Sequence, residues 1–408
     1  MIAWDRAHHD WLNAHAHSLL QFAAASQVDD GFGWLDDNGR VDVARGVELW
    51  ITCRMTHCHA LAVLAGDEQA RRGLDHGVAA LLGPLRDAEY GGWYARRGGR
   101  EGDDDHKLFY AHAFVVLAAS SAVAAGHQDG AALLDHALAV MQEHFLEPGV
   151  GLGRESFTRD WSQGEDYRGV NANMHAVEAL LAAADVTGRD DLRVHALTIA
   201  TRVIDGFARE HHWLLPEHYS ADWTALPDYN LAQPAHPFRP YGVTIGHLCE
   251  WARLVLDVEA ASVAAGDTRA AWALECAEQL YATAVKLGWA PDGHPGFVYT
   301  VAPDGEPVVR ERMHWVVAEA IGAAAALWHR TGSERYAQDY AAWWDYARTW
   351  LIDPERGSWH HELSPAGGPS RTVWDGKPDI YHAYQATLFG RAPLHPSLAS
   401  ALRAGLAT

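Results

Sequence analysis

The sequence predicts an all-α ring of six helical hairpins, with short β-hairpins capping one face. Three observations predict it. Helix-like stretches of the 408-residue chain end repeatedly in small residues plus glycine, followed by a polar restart. The first helix around each stop is apolar and Ala-rich, and the second carries more charge. Between the pairs lie long segments combining glycine, an aromatic residue and turn formers.

The stops are LAVLAG-DEQ, AVAAG-HQD, DVTG-RDD, VAAG-DTR and HRTG-SER, with their glycines at Gly66, Gly126, Gly188, Gly266 and Gly332. Glycine tolerates the left-handed conformation that ends a helix, and a small polar residue caps the next one. Successive glycines stand 60, 62, 78 and 66 residues apart, a near-regular period with one insertion. Taken in order, an N-terminal helix over about 5–26 comes first. Pairs follow at roughly 43–65 with 67–82, 107–125 with 129–145, 170–187 with 189–210, 240–265 with 268–287, and 311–331 with 333–351. A last helix at about 379–391 has no partner after it. Pairing it with the N-terminal helix closes the ring, which makes 1–408 one domain. An α-solenoid would leave both ends unpaired.

Segments such as GAAAALW and HAVEALLAAA suit an inner ring, and SERYAQDYAAWWDYAR suits an outer one. The connecting segments, among them GFGWLDDNGRVD and GFVYTVAPDGEPVV, hold Asn38-Gly39 and Asp304-Gly305, which are hairpin-turn signals. Long connections are usually functional, so the mouth of a cavity belongs on their face.

Composition narrows the function. Lys and Arg number 32 against 53 Asp and Glu, a net charge of -21, which disfavours nucleic acid because phosphate contacts need a basic face. The N-terminus lacks the basic and apolar regions of a signal peptide, and no 18-residue apolar run spans a membrane. The cysteines Cys53, Cys58, Cys249 and Cys276 form no C-x-x-C and are expected as buried thiols. A cytoplasmic location is the expectation. The 26 His and 18 Trp, against 14 Tyr and 10 Phe, suggest a polar, aromatic-walled cavity for a small hydroxylated molecule.

Polar residues recur near the start of every inner helix: Arg54, Tyr110 and His112, Asn171 with Asn173 and His175, His247 with Glu250, His314, and His382. Six inward polar groups at one level of a ring are costly to bury unless they pair or meet a ligand. Histidine suits reversible proton transfer near neutrality. Two histidines on opposite walls would remove a carbon-bound proton and return one, and Arg54 would stabilise the oxyanion formed between. Asn171 and Asn173 either bind hydroxyls or cap the helix start. Trp50, Trp315 and Trp374 either stack on sugar rings or pack the core.

His175 and Glu178, like His247 and Glu250, share a helix face at i, i+3 and raise metal binding as a competing idea. No zinc-type spacing or H-E-x-x-H occurs, and no metal is expected. A hydrolase would need two facing carboxylates, for which Asp103, Asp104, Asp105, Asp160 and Glu165 are candidates or solvated loop residues. P-loop, dinucleotide-binding and G-x-S-x-G motifs are absent from the sequence. A non-catalytic sugar-binding toroid is a further alternative.

RMTHCHA, NANMHAVEALLAAADVTG, GHLCEWARL and KPDIYHAYQATL resemble the N-acylglucosamine 2-epimerase superfamily over essentially the whole chain. The pattern is most similar to its aldose–ketose isomerase branch, which includes enzymes acting on D-mannose and on sulfoquinovose. The resemblance implies an (α/α)6 barrel and cofactor-free, metal-independent chemistry on an open-chain monosaccharide through a cis-enediol(ate). By motif, His382 would move the proton from C2 to C1. His247, with Glu250 beside it, would be the second acid/base, His175 would serve ring opening or substrate binding, and Arg54 would sit near the sugar oxygens. Tyr110, Asn171, Arg239, Trp315 and Trp50 would contact substrate. D-mannose to D-fructose is the expected conversion, with D-lyxose to D-xylulose beside it. Sulfoquinovose isomerisation, with Lys377 and Arg239 as added cations, and 2-epimerisation are the alternatives. The 211–240 insertion reads as a lid or a subunit contact, and an oligomer stays open.

Overall fold

The inner helices have no polar face, and that fixes where they go. In α4 (Phe109–Ala124) every residue except Tyr110 and Val123 is buried, whereas α3 (Arg71–Leu82) buries only Gly73, Leu74, Gly77, Val78, Ala80 and Leu81. A helix apolar all round must sit inside, and one with a single apolar stripe must flank it. The computed structural model describes residues 5–406, so residues 1–4 and 407–408 of the expected 1–408 domain lie outside the described residues.

The inner ring is α2 (Leu49–Leu64), α4, α6 (Val170–Thr187), α8 (Ile245–Ala264), α10 (His314–Thr331) and α12 (Tyr381–Phe389). The outer ring is α1 (Arg6–Ala23), α3, α5 (Gly130–Val140), α7 (Asp190–Ala200), α9 (Ala271–Gly288) and α11 (Glu334–Tyr346). Each inner helix packs on the next, α12 returns to α2, and α1 packs on α12, so the ring closes as the sequence predicts. The outer helices α5, α7 and α11 run on into π-helical turns at Met141–Phe145, Thr201–Ala208 and Ala347–Leu351. One further helix, α13 (Leu398–Arg403), packs against α2, α4 and α6 and closes the far end of the barrel, where the sequence reading placed nothing.

Glycines let inner and outer helices touch. A Cβ on Gly77 would lie 1.9 Å from Thr56 Oγ1, and one on Gly73 2.4 Å from the His59 ring.

The loop face differs from the expectation of separate hairpins. Short local hairpins are present, as at the Leu35–Val41 and Val301–Pro307 bridges. Most paired strands, however, join successive loops. Val47–Glu48 pairs with Arg96–Arg97, Lys107–Leu108 with Ser156–Phe157, and Tyr167–Gly169 with His218–Ser220. Val243–Thr244 pairs with Thr300–Val301, and Arg312–Met313 with Glu362–Leu363. In each pairing the first strand leads straight into an inner helix. Pairing it with the following loop satisfies its backbone groups and sets the height at which that helix begins. The four cysteines are free and buried, and no described helix is long and apolar enough to cross a membrane.

Candidate functional site

Beneath the strand layer the first turns of all six inner helices surround a cavity of about 60 Å³. It is lined by Trp50 and Arg54 of α2, Tyr110 of α4, Asn171 and His175 of α6, His247 and Glu250 of α8, His314 and Trp315 of α10, and His382 of α12. Nine of the ten residues to which the resemblance gives a role, all but Arg239, therefore meet in one place. The strand pairing contributes to this convergence, because it starts five of the six helices at one level, and Asp379 ties the start of the sixth, α12, to Arg54.

Two histidines are held in the same way. His382 Nδ1 lies 2.7 Å from Glu319 Oε1, and His247 Nδ1 lies 2.9 Å from Glu217 Oε1. Glu319 is fully buried and Glu217 nearly so. With an ionised carboxylate as partner, each Nδ1–H donates and Nε2 is left as the free base. This corrects the expectation for His247: its partner is Glu217, while Glu250 lies 3.8 Å from His175 Nδ1. The two histidines are not on opposite walls. They flank Trp315 of the intervening helix, with ring centroids 5.2 and 5.6 Å from it. Burial, with Arg54 nearby, holds His382 well below the ordinary histidine value, so its ring is neutral. Burial also lowers His175 and His314 to about 4.

Arg54 supplies the positive charge. Its guanidinium donates to Tyr110 Oη at 2.8 Å and to Asp379 at 3.3 Å, and stands over the rings of Phe114 and Tyr381. Burial works against this cation, but Tyr110 and Asp379 hold its pKa above the usual arginine value. Asp379 also accepts from the Tyr381 N–H, tying Arg54 to the start of α12. Burial pushes the Tyr110 hydroxyl up to about 12, so it stays neutral and can donate.

The asparagines divide between their two readings. Asn173 is bound to the backbone of Gly153 and Gly169, whereas Asn171 lines the cavity with Oδ1 buried and without a protein partner. His112 is structural: it packs against Trp93, Phe145 and Trp161 and accepts from the Trp93 N–H. Arg239 does not line the cavity. Its fork is taken by Glu165 at 2.7 and 2.9 Å, with Tyr167 stacked 4.0 Å away, because a carboxylate pairs bidentately with a guanidinium. That clamp holds the 211–240 insertion so that Pro237 and Phe238 line the mouth, with Phe238 against Trp50, Tyr110 and Trp374. Lys377 is likewise committed, to Asp353.

Of the acidic loop candidates, Glu165 holds Arg239 and Asp160 caps Thr158 and Ser162; none lines the cavity. Among the described residues, two groups have metal-ligand spacing: the largely exposed Asp104, Asp105 and His106, and the buried His175, Glu178 and Glu250. Arg253, 3.8 Å from Glu250 Oε1, already supplies the buried group with positive charge.

The sequence reading missed Glu319, Glu217, Asp379, Tyr299, His361 and Phe238. Glu319 had a signal, as the lone carboxylate in the apolar run VVAEAIGAAAA. The other five lie outside the inner helices, where periodicity is silent.

A family model described as N-acylglucosamine 2-epimerase matches residues 31–386. The chain is 51% identical to a D-mannose isomerase of Thermobifida fusca, over 97% of each chain. It is 50% identical to a D-mannose isomerase of Pseudomonas cannabina pv. alisalensis, over 98% of this chain and 96% of that one. A crystal structure of a D-mannose isomerase superposes with a TM-score of 0.85 at 29% identity, over 93% of this chain and 96% of that one.

Proposed function

The chain belongs to the N-acylglucosamine 2-epimerase family, and from that premise we propose that it is an aldose–ketose isomerase interconverting D-mannose and D-fructose. One observation carries the chemistry: two buried histidines, each oriented at Nδ1 by a buried carboxylate, line one cavity with an arginine.

On the open-chain aldose, the C1 carbonyl acidifies the C2 proton. His382 Nε2 takes that proton. The C–H electron pair becomes the C1–C2 double bond, and the carbonyl π pair moves onto O1. Arg54 and Tyr110 stabilise the resulting enediolate. Return of the proton to C1, with transfer of the O2 proton to O1, leaves the ketose. His247, on the other side of Trp315, exchanges protons with the sugar oxygens, and His175 assists ring opening. Asn171 and the aromatic frame of Trp50, Phe238 and Trp374 bind the sugar.

The charge of the cavity favours a neutral sugar over a sulfonated one. Arg54 is the one Lys or Arg among its described lining residues and is paired with Asp379. We take 1–408 as one catalytic domain, supported by a continuous core from Leu12 to Leu402, and place it in the cytoplasm, in keeping with its reduced thiols.

Incubation with D-mannose in D2O, followed by NMR, tests this reading. Fructose is expected, with deuterium entering at C1 to the extent that His382 exchanges. Deuterium confined to a 2-epimer with no ketose, or turnover of sulfoquinovose in preference to mannose, overturns it.

A further inference from the structure

Below the sugar cavity, one layer of charged side chains separates it from a second cavity of about 50 Å³ at the closed end of the barrel. Arg253 is the centre of that layer. It is 4% exposed, lines the second cavity and does not line the first. Its guanidinium lies 3.3 Å from Glu319 Oε2, 3.2 Å from Asp257 and 3.8 Å from Glu250. Glu319 thus has one oxygen on Arg253 and the other on His382 Nδ1.

The charge around Glu319 shows what Arg253 must do. From α8 it faces Arg253, Glu250, Asp257 and Cys249; from α6, Glu178 and His175; from α12, His382. On its own helix, His314 stands just over one turn away. Burial drives the Glu319 carboxyl upward, and Arg253 is the foremost influence opposing it. A neutral Glu319 would donate its proton to His382 Nδ1. The imidazole would then carry its hydrogen on Nε2, which could no longer accept one from carbon.

We propose that Arg253 is a positioning residue that keeps Glu319 ionised, and so fixes the tautomer in which His382 can act as a base. Arg253 lies outside the sugar cavity, and its influence on His382 runs through Glu319. No net proton is transferred in this role; the residue decides on which nitrogen the existing proton rests. The inference rests on the isomerase reading, with His382 as its base.

The test compares Arg253→Met, Arg253→Lys and Glu319→Gln for kcat, KM and the pH profile of mannose isomerisation. For Arg253→Met, kcat is expected to fall about 10²-fold near neutrality with KM little changed. Activity should recover as pH rises, because alkali ionises Glu319 without help, and the acid limb should move up by a pH unit or more. Arg253→Lys should keep the limb near its wild-type place. Glu319→Gln should be slow at every pH, since an amide cannot ionise. A loss in Arg253→Met that is uniform across pH, or a limb in Arg253→Lys displaced as far as in Arg253→Met, overturns the proposal. If Arg253→Met does not fold, Arg253→Gln carries the test. It removes the charge beside Glu319 but keeps a polar side chain, so the acid limb should again move up, and an unmoved limb overturns the proposal. Absence of fructose from the wild-type enzyme would instead refute the isomerase reading, so the two failures are distinguishable.

Discussion

A histidine becomes a base here through the carboxylate behind it. His382 and His247 each have one, and the substitutions that test them follow. His382→Ala and His247→Ala should each lower mannose turnover by about 10²–10⁴-fold with the circular dichroism spectrum retained. A sugar-binding toroid would show no turnover to lose. Because burial keeps His382 neutral to pH values well below the ordinary 6.5, the acid limb of kcat/KM should lie below pH 6.5. A limb at or above that value in steady-state kinetics would contradict the assignment. At this scale the histidines were legible in the sequence because each stands at a matching place in the helical period. Their partners were less so. Glu319 is a single carboxylate in an apolar helix, and Glu217 approaches His247 from 30 residues away, across a loop no pattern describes. Arg239 was misplaced for the converse reason: nothing in the local sequence says that Glu165, 74 residues earlier, will capture it.

Among the elements, one device recurs around the barrel. A carboxylate after an outer helix pairs with a buried cation just before the next inner helix: Asp87 with Lys107, Glu147 with Arg168, Asp292 with Arg312, and Asp353 with Lys377. Each clip fixes where an inner helix starts, and hence the height of its site residue. In the first clip both side chains are fully buried. Lys107→Met leaves Asp87 with the half-exposed Arg159 and two backbone N–H groups but without its buried cation, and should cost about 3–5 kcal/mol in denaturant unfolding. Replacing Lys107 and Asp87 together by apolar residues should cost less, because no buried charge is then stranded. A single-mutant loss below about 1 kcal/mol would show that the pair does not order the loops. Helix–helix contact is similarly demanding. Gly77→Ala drives a methyl into Thr56 and should destabilise the α2–α3 pair by about 1–3 kcal/mol, read from the thermal midpoint. The helices themselves were legible from their glycine stops. The strand pairings were not, because two-residue strands carry no period and their partners lie in the next loop.

Viewed whole, the chain buries many neutral histidines, and this predicts how it responds to acid. Burial lowers His8, His15, His57, His59, His175 and His314 to about 4. A folded-state value below the unfolded 6.5 means that the unfolded chain binds more protons between these limits, so stability is lost as pH falls from about 6.5 to 4. Burial raises Glu48, Glu155 and Asp257 to about 7, which acts in the opposite direction but through fewer groups. The thermal midpoint should therefore drop across this window, and a midpoint that rises on acidification would refute the balance. The histidine excess thus has two origins. His8 and His15 belong to the packing of α1 against Tyr340, Trp344 and Trp359, while His175, His247 and His382 form the site. The sequence by itself determined the helical ring, its inner and outer members and the level at which polar groups converge, because these are written in local periodicity and in helix stops. Only the tertiary structure decided which carboxylate stands behind each histidine, where Arg239 and Phe238 come to rest, and what closes the far end. Those contacts join residues far apart in the chain, and burial and charge balance select them only once the ring has closed.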